Sequence, residues 1–181
     1  HGVMYGAVAF YKACCAAGIK PIIGCEVYVA PRSRFDKEHG VDSEYTHLIL
    51  LCKNETGYKN LCYLVSMAFT EGFYNKPRID WALLHERAEG LICLSGCVAG
   101  AIPRMLNAGN YEGAKKKALE LSELFGKDGF YLEIQDHGLE AEKRAAEGLL
   151  RIHRETDIPL AVTNDAHYVE KDDAYYQDVL M

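Results

Sequence analysis

Six residues of this 181-residue sequence stand out as candidate metal ligands, and most lie in or just after apolar runs. In "VTNDAHY" (162–168), directly after "DIPLA", Asp165 and His167 stand two apart. On a strand, that spacing puts a carboxylate and an imidazole on one face. Glu26 lies inside "IIGCEVY", His47 sits at the start of "THLILL", Cys97 follows "LICLSG", and His1 begins the chain. An acid among apolar residues is costly to bury unless it is paired or bound to a cation. Each residue alone also fits a plainer role. Asp165 suits a turn, His167 a solvated loop, and Glu26 the polar face of a half-exposed strand. Cys97 suits a small core position and His47 a hydrogen-bonded core site. Recurrence of such donors at successive strand ends is what points to a shared site. Mixed imidazole, carboxylate and thiolate donors suit Zn²⁺, Mn²⁺ or Fe²⁺ better than Mg²⁺ or Ca²⁺.

The elements that must position these residues follow from hydrophobic periodicity. Helical patterns cover 5–18, 56–70, 80–87, 100–109, 110–126 and 139–156, and another begins at 172. Strand patterns cover 19–30, 46–53, 90–96, 129–135 and 158–164, and the polar stretch 31–45 reads as a loop. This alternation predicts an α/β fold with parallel strands, in which function gathers where strands end and loops begin. Asn164 fits either a turn or a residue that supports a ligand. His137 in "EIQDHG" also follows a strand, within reach of the cleft, but reads first as a solvated loop histidine. His39, His85 and His153 read as surface.

Composition narrows the function classes. Forty-nine per cent hydrophobic residues over this length suffice for one domain with a sizeable core. The net charge is −6 and the longest basic run is Lys115–Lys117, which argues against a broad basic surface for nucleic acid. An acidic metal-dependent phosphoesterase stays compatible, because bound cations supply the positive field. Seven cysteines without a CxxC pair, and no visible signal peptide, suggest a reducing cytoplasm. No apolar run approaches the ~20 residues of a membrane span. His1 directly before a helical pattern suggests a piece of a longer chain.

The stretches "HGVMYGAVAFYKACCAAGIKPIIGCEVYVAPRSR", "YNKPRIDWALL", "LICLSGCVAGAIPR" and "VTNDAHY" closely resemble the PHP (polymerase and histidinol phosphatase) domain of bacterial replicative DNA polymerases, the polymerase III alpha subunits. The resemblance covers essentially the whole chain. It implies a distorted, TIM-like (β/α)7 barrel, here incomplete for want of its first strand. It also implies up to three metal ions, zinc or manganese and in some cases iron, on nine ligand positions. Six fall on His1, Glu26, His47, Cys97, Asp165 and His167. The other three, an HxH pair and an aspartate, would lie upstream of His1. The resemblance casts Glu26 as a bridging carboxylate and makes Glu26 and Asp165 the candidate catalytic pair. The implied activity is a 3′–5′ exonuclease that proofreads the 3′ end of the primer strand in a bacterial cytoplasm, within a DNA-directed polymerase. The implied partners are DNA and the other polymerase III holoenzyme subunits, a proofreading exonuclease subunit among them, with no membrane. Two alternatives stand beside it: a non-catalytic scaffold that holds such a subunit, and a free-standing histidinol-phosphatase-like phosphoesterase. With three positions outside it, the 181-residue piece alone is expected to be nearly inactive.

Overall fold

The computed structural model describes residues 1–180. Its centre is a sheet of six strands: β1 (Gly24–Val29), β2 (Thr46–Cys52), β3 (Arg78–Ile79), β4 (Leu91–Leu94), β5 (Phe130–Ile134) and β6 (Leu160–Val162). Their order across the sheet is β3-β1-β2-β4-β5-β6, and the sheet is open, not closed into a barrel, among the described residues. Seven helices accompany it: α1 (Ala7–Ala16), α2 (Glu55–Thr70), α3 (Trp81–Glu86), α4 (Ala101–Asn107), α5 (Tyr111–Phe125), α6 (Glu140–Thr156) and α7 (Ala174–Leu180). The expected elements are all present with trimmed ends. The first strand is the most shortened: residues 19–22, including Pro21, join no ladder, and Ile23 offers only its carbonyl to the Cys52 N–H. The sequence pattern did not show β3, a two-residue strand.

The expectation of uniformly parallel strands needs correction. β1 pairs with β3 in parallel, as β4 does with β5 and β5 with β6. β2 runs antiparallel to both β1 and β4. The reason lies in the 31–45 connection, which contains no helix. Parallel neighbours need a long crossover, usually helical, whereas an irregular loop simply returns the chain alongside. That loop is pinned by the fully buried Arg78, which donates to the carbonyls of Gly72, Asp42 and Asp36. Arg32 adds a two-pronged contact to the buried Asp42, and Arg34 one to Asp80.

Strand alternation splits the sheet into two unlike faces. Cys25, Val27, Val29, Leu48, Leu50, Leu91, Cys93, Phe130 and Leu132 are all buried in the core. They pack with Leu61 and Leu64 of α2, Ala114 and Ala118 of α5, and Leu149 and Ile152 of α6. Two of the long helices, α2 and α5, start on good caps. The side chains of Asn54 and Asn110 accept from the Gly57 and Gly113 N–H groups, so an otherwise orphaned donor is satisfied at each end. By the same alternation, Glu26, Tyr28, His47, Ile49, Tyr131 and Glu133 share the opposite face. The candidate site lies there. Among the described residues no helix is long and apolar enough to cross a membrane.

Candidate metal centre

The reversal of β2 decides the geometry of the site. Five strands point one way, so His47 near the start of β2 lies at the same end of the sheet as the loop that follows β4. Tyr28 pairs with His47 across the β1–β2 ladder, which leaves Glu26 on the diagonal, on the same face. The β4–α4 loop then closes over that end. The His47 N–H donates to the Ala99 carbonyl (3.1 Å), and Gly96 takes a φ of +83° directly against the His47 carbonyl. A Cβ at position 96 would collide with that carbonyl, so only glycine lets the loop come this close.

Cys97 is thereby brought to His47. Its Sγ lies 3.5 Å from His47 Nδ1, and the same nitrogen lies 2.7 Å from Glu26 Oε1. One donor atom from each of Glu26, His47 and Cys97 falls within 4.8 Å of the others. Burial pushes the Glu26 carboxyl up, but the hydrogen bond and charge of His47 outweigh it and hold it below the usual carboxylate range. Burial pushes His47 down, yet its contacts with Cys97 and Glu26 raise it to about 9. Positive charge is therefore stabilised between a carboxylate and a sulfur on a partly buried face. A divalent cation meets that demand more fully than a proton does, and the imidazole, carboxylate and thiol donors suit zinc, manganese or iron. The residues fit a metal.

The other three expected residues surround this core more loosely. The His1 backbone nitrogen lies 3.2 Å from Glu26 Oε2, and the His1 ring centroid is 5.3 Å from that of His167. Asp165 and His167 are exposed. The premise that they share a strand face is corrected: β6 stops at Val162, and Asp165 takes a left-handed φ of 48°. Asp tolerates that conformation better than most residues, and the chain turns there instead of extending. His167 Nδ1 lies 2.6 Å from the backbone carbonyl of Asp165. The structure thus groups Glu26, His47 and Cys97 tightly. His1 and His167 stand beside each other at the edge, and Asp165 sits on the adjoining turn.

A family model of the PHP domain matches residues 1–137. The chain belongs to the PHP domain family. The DNA polymerase III subunit alpha of Treponema pallidum (strain Nichols) is 53% identical over 182 residues, and that of Borreliella burgdorferi 47% over 182. The subunit of Thermus aquaticus is 47% identical over 183 residues. All of this chain is covered in each comparison, but it spans only 16%, 16% and 15% of those relatives' lengths. The family match includes three of the six candidate donors in their tight cluster, together with His1.

One residue of this PHP domain, Glu133, escaped the sequence reading. His137 is an exposed loop residue, as expected, yet its Nδ1 lies 2.6 Å from Glu142 Oε1 and its Nε2 2.6 Å from the Asn164 carbonyl. The Glu142 hydrogen bond, and then the Asn164 carbonyl, push its pKa up. Glu133 is 5% exposed, and burial raises its carboxyl above the ordinary range despite the hydrogen bonds it accepts. The signal for Glu133 was available, since it is an acid inside an apolar strand, as Glu26 is. His153, read as surface, is half-buried, with Nδ1 2.8 Å from the Ile158 carbonyl. His39 and His85 are exposed.

Proposed function

We propose that this PHP domain is part of a bacterial replicative DNA polymerase and forms a metal-dependent 3′–5′ exonuclease site within it. The observation that carries the reading is the convergence of Glu26, His47 and Cys97 on one sheet face. Support for the parent protein comes from the named polymerase subunits, which match along the whole chain. Glu26, His47 and Cys97 would hold the first cation, with His1, Asp165 and His167 extending the site toward solvent. A divalent ion so held is a Lewis acid that polarises a phosphoester and activates water.

The chain's own residues supply the rest. Glu26 offers two carboxylate oxygens, one 2.7 Å from His47 Nδ1 and the other 3.2 Å from the His1 backbone nitrogen. Two oxygens at the centre of the donor group suit it to the bridging role. Asp165 brings a second carboxylate on an exposed turn, where the 3′ end of a DNA strand can reach it. The open sheet reads as an arc of the PHP-type barrel, with the site at the end where the β4–α4 loop lies. The partners of the reading are the DNA primer terminus and the other holoenzyme subunits.

The test uses the full-length protein and a primer with a mismatched 3′ end. Wild type should shorten the primer, lose this activity with a chelator, and regain it with Mn²⁺ or Zn²⁺. Asp165→Asn should abolish shortening while leaving nucleotide incorporation within about twofold, because incorporation uses a different site. Equal shortening by Asp165→Asn would place the exonuclease elsewhere and leave this domain as a scaffold.

A further inference from the structure

We propose that Glu133 is a positioning residue that fixes the two loops carrying Cys97 and the Asp165–His167 pair in register with each other. The proposal rests on the site assignment above and adds to it a residue that offers no atom to the cation. Glu133 ends the site-facing row of β5, between the β4 and β6 ends from which those two loops depart. Its two oxygens are divided between them. Oε2 accepts from the backbone N–H of Gly96 at 3.0 Å, one residue before Cys97. Oε1 accepts from the hydroxyl of Thr163, two residues before Asp165, and from Gln135 Nε2 at 3.1 Å. Gln135 Nε2 also reaches Thr163 Oγ1 at 3.1 Å. The Glu133 N–H in turn donates 2.8 Å to the buried Ser95 Oγ.

A single buried carboxylate thus bridges two loops that have no strand pairing to each other. Such outer residues govern metal affinity by orienting the ligands, and their removal typically costs about 10–100-fold in affinity. The Cys97 loop has its own contacts to β2, so the loop most dependent on Glu133 is the 163–167 turn. His137 holds the next carbonyl of that turn, from the same β5–α6 segment. Glutamine at position 133 can still accept from Gly96 and place its amide against Thr163, with the Gln135 amide reversed. It should preserve the bridge without the charge.

The experiment titrates Co²⁺ into the full-length protein, reading the thiolate-to-cobalt charge-transfer band and the dissociation constant by competition with a chelator. Cys97→Ser serves as the control that identifies the band. Glu133→Ala and Thr163→Val should each weaken Co²⁺ binding about tenfold or more while thermal unfolding stays cooperative. Glu133→Gln should restore affinity to within about threefold of wild type. Should Glu133→Ala fail to fold, Thr163→Val decides, because it removes only a half-buried hydroxyl. Wild-type affinity in Thr163→Val, and in Glu133→Ala if it folds, with the band still lost in Cys97→Ser, overturns the positioning role and leaves the site standing. A band and affinity unchanged in Cys97→Ser overturn the site assignment, and the positioning role with it.

Discussion

Glu26 and His47 form an ion pair on a half-buried face, where the His47 ring also stacks on Tyr45. Glu26 contributes nothing to the apolar core, which lies on the other side of β1. Asp42 is the structural counterpart, and it yields a pH prediction clear of the site. The Arg32 guanidinium, together with the Glu38 N–H, overcomes the effect of burial and holds the Asp42 carboxyl at about 2. A carboxyl whose pKa is lowered by folding adds stability that is complete above the ordinary aspartate range and is lost as pH falls toward the folded value. Asp42→Asn should therefore lower the melting temperature near neutrality, and its gap from wild type should close between about pH 4 and 2. A gap independent of pH would show that the Arg32 pair contributes nothing through charge. The sequence displayed the acid Glu26 and the donors His47 and Cys97, because polar groups interrupt apolar runs. It displayed Glu133 by the same rule, in "YLEIQ", but that alternation also fits a solvated strand face. Nothing local shows that a carboxylate is buried by loops more than thirty residues away.

At the level of elements, the reversed β2 matters most. Alternating strand and helix patterns carry no information on strand direction. The absence of a helical pattern in 31–45 was the available clue, and it indicates the antiparallel return. Two substitutions test this layer. Leu50 is fully buried at the centre of β2, so Leu50→Ala should cost about 2–5 kcal/mol in urea unfolding. A loss below about 1 kcal/mol would place the core elsewhere. Gly96→Ala adds a Cβ against the His47 carbonyl at a left-handed φ and should cost about 1–3 kcal/mol. It should also push the Cys97 loop off β2 and weaken metal binding. Unchanged metal affinity in a folded Gly96→Ala protein would show that the close approach of loop and strand does not set the ligand geometry. The left-handed turn at Asp165 was not visible in "VTNDAHY", since Asn and Asp serve strand ends and turns alike.

The whole molecule shows an uneven surface. Tyr5, Val8, Phe10 and Tyr11 around α1 are 51–85% exposed, as Tyr175, Tyr176 and Leu180 of α7 are at 65–81%. α1 buries none of its residues. Exposed apolar groups in such numbers associate in water. The 181-residue chain alone should therefore sediment as oligomers at ~50 µM, well above any dilute-monomer range. A single monomeric boundary at that concentration would contradict it. The mixed α/β fold and three donors that the structure groups, Glu26, His47 and Cys97, were thus legible in sequence pattern and family likeness, while sheet direction and the supporting hydrogen bonds required three dimensions. The central claim is that Glu26, His47 and Cys97 hold one metal ion. X-ray absorption on the zinc-loaded full-length protein addresses it directly. The account predicts a sulfur scatterer at about 2.3 Å beside nitrogen and oxygen at about 2.0–2.2 Å, with the sulfur shell gone in Cys97→Ser. A shell of nitrogen and oxygen alone, identical in wild type and Cys97→Ser, would contradict it.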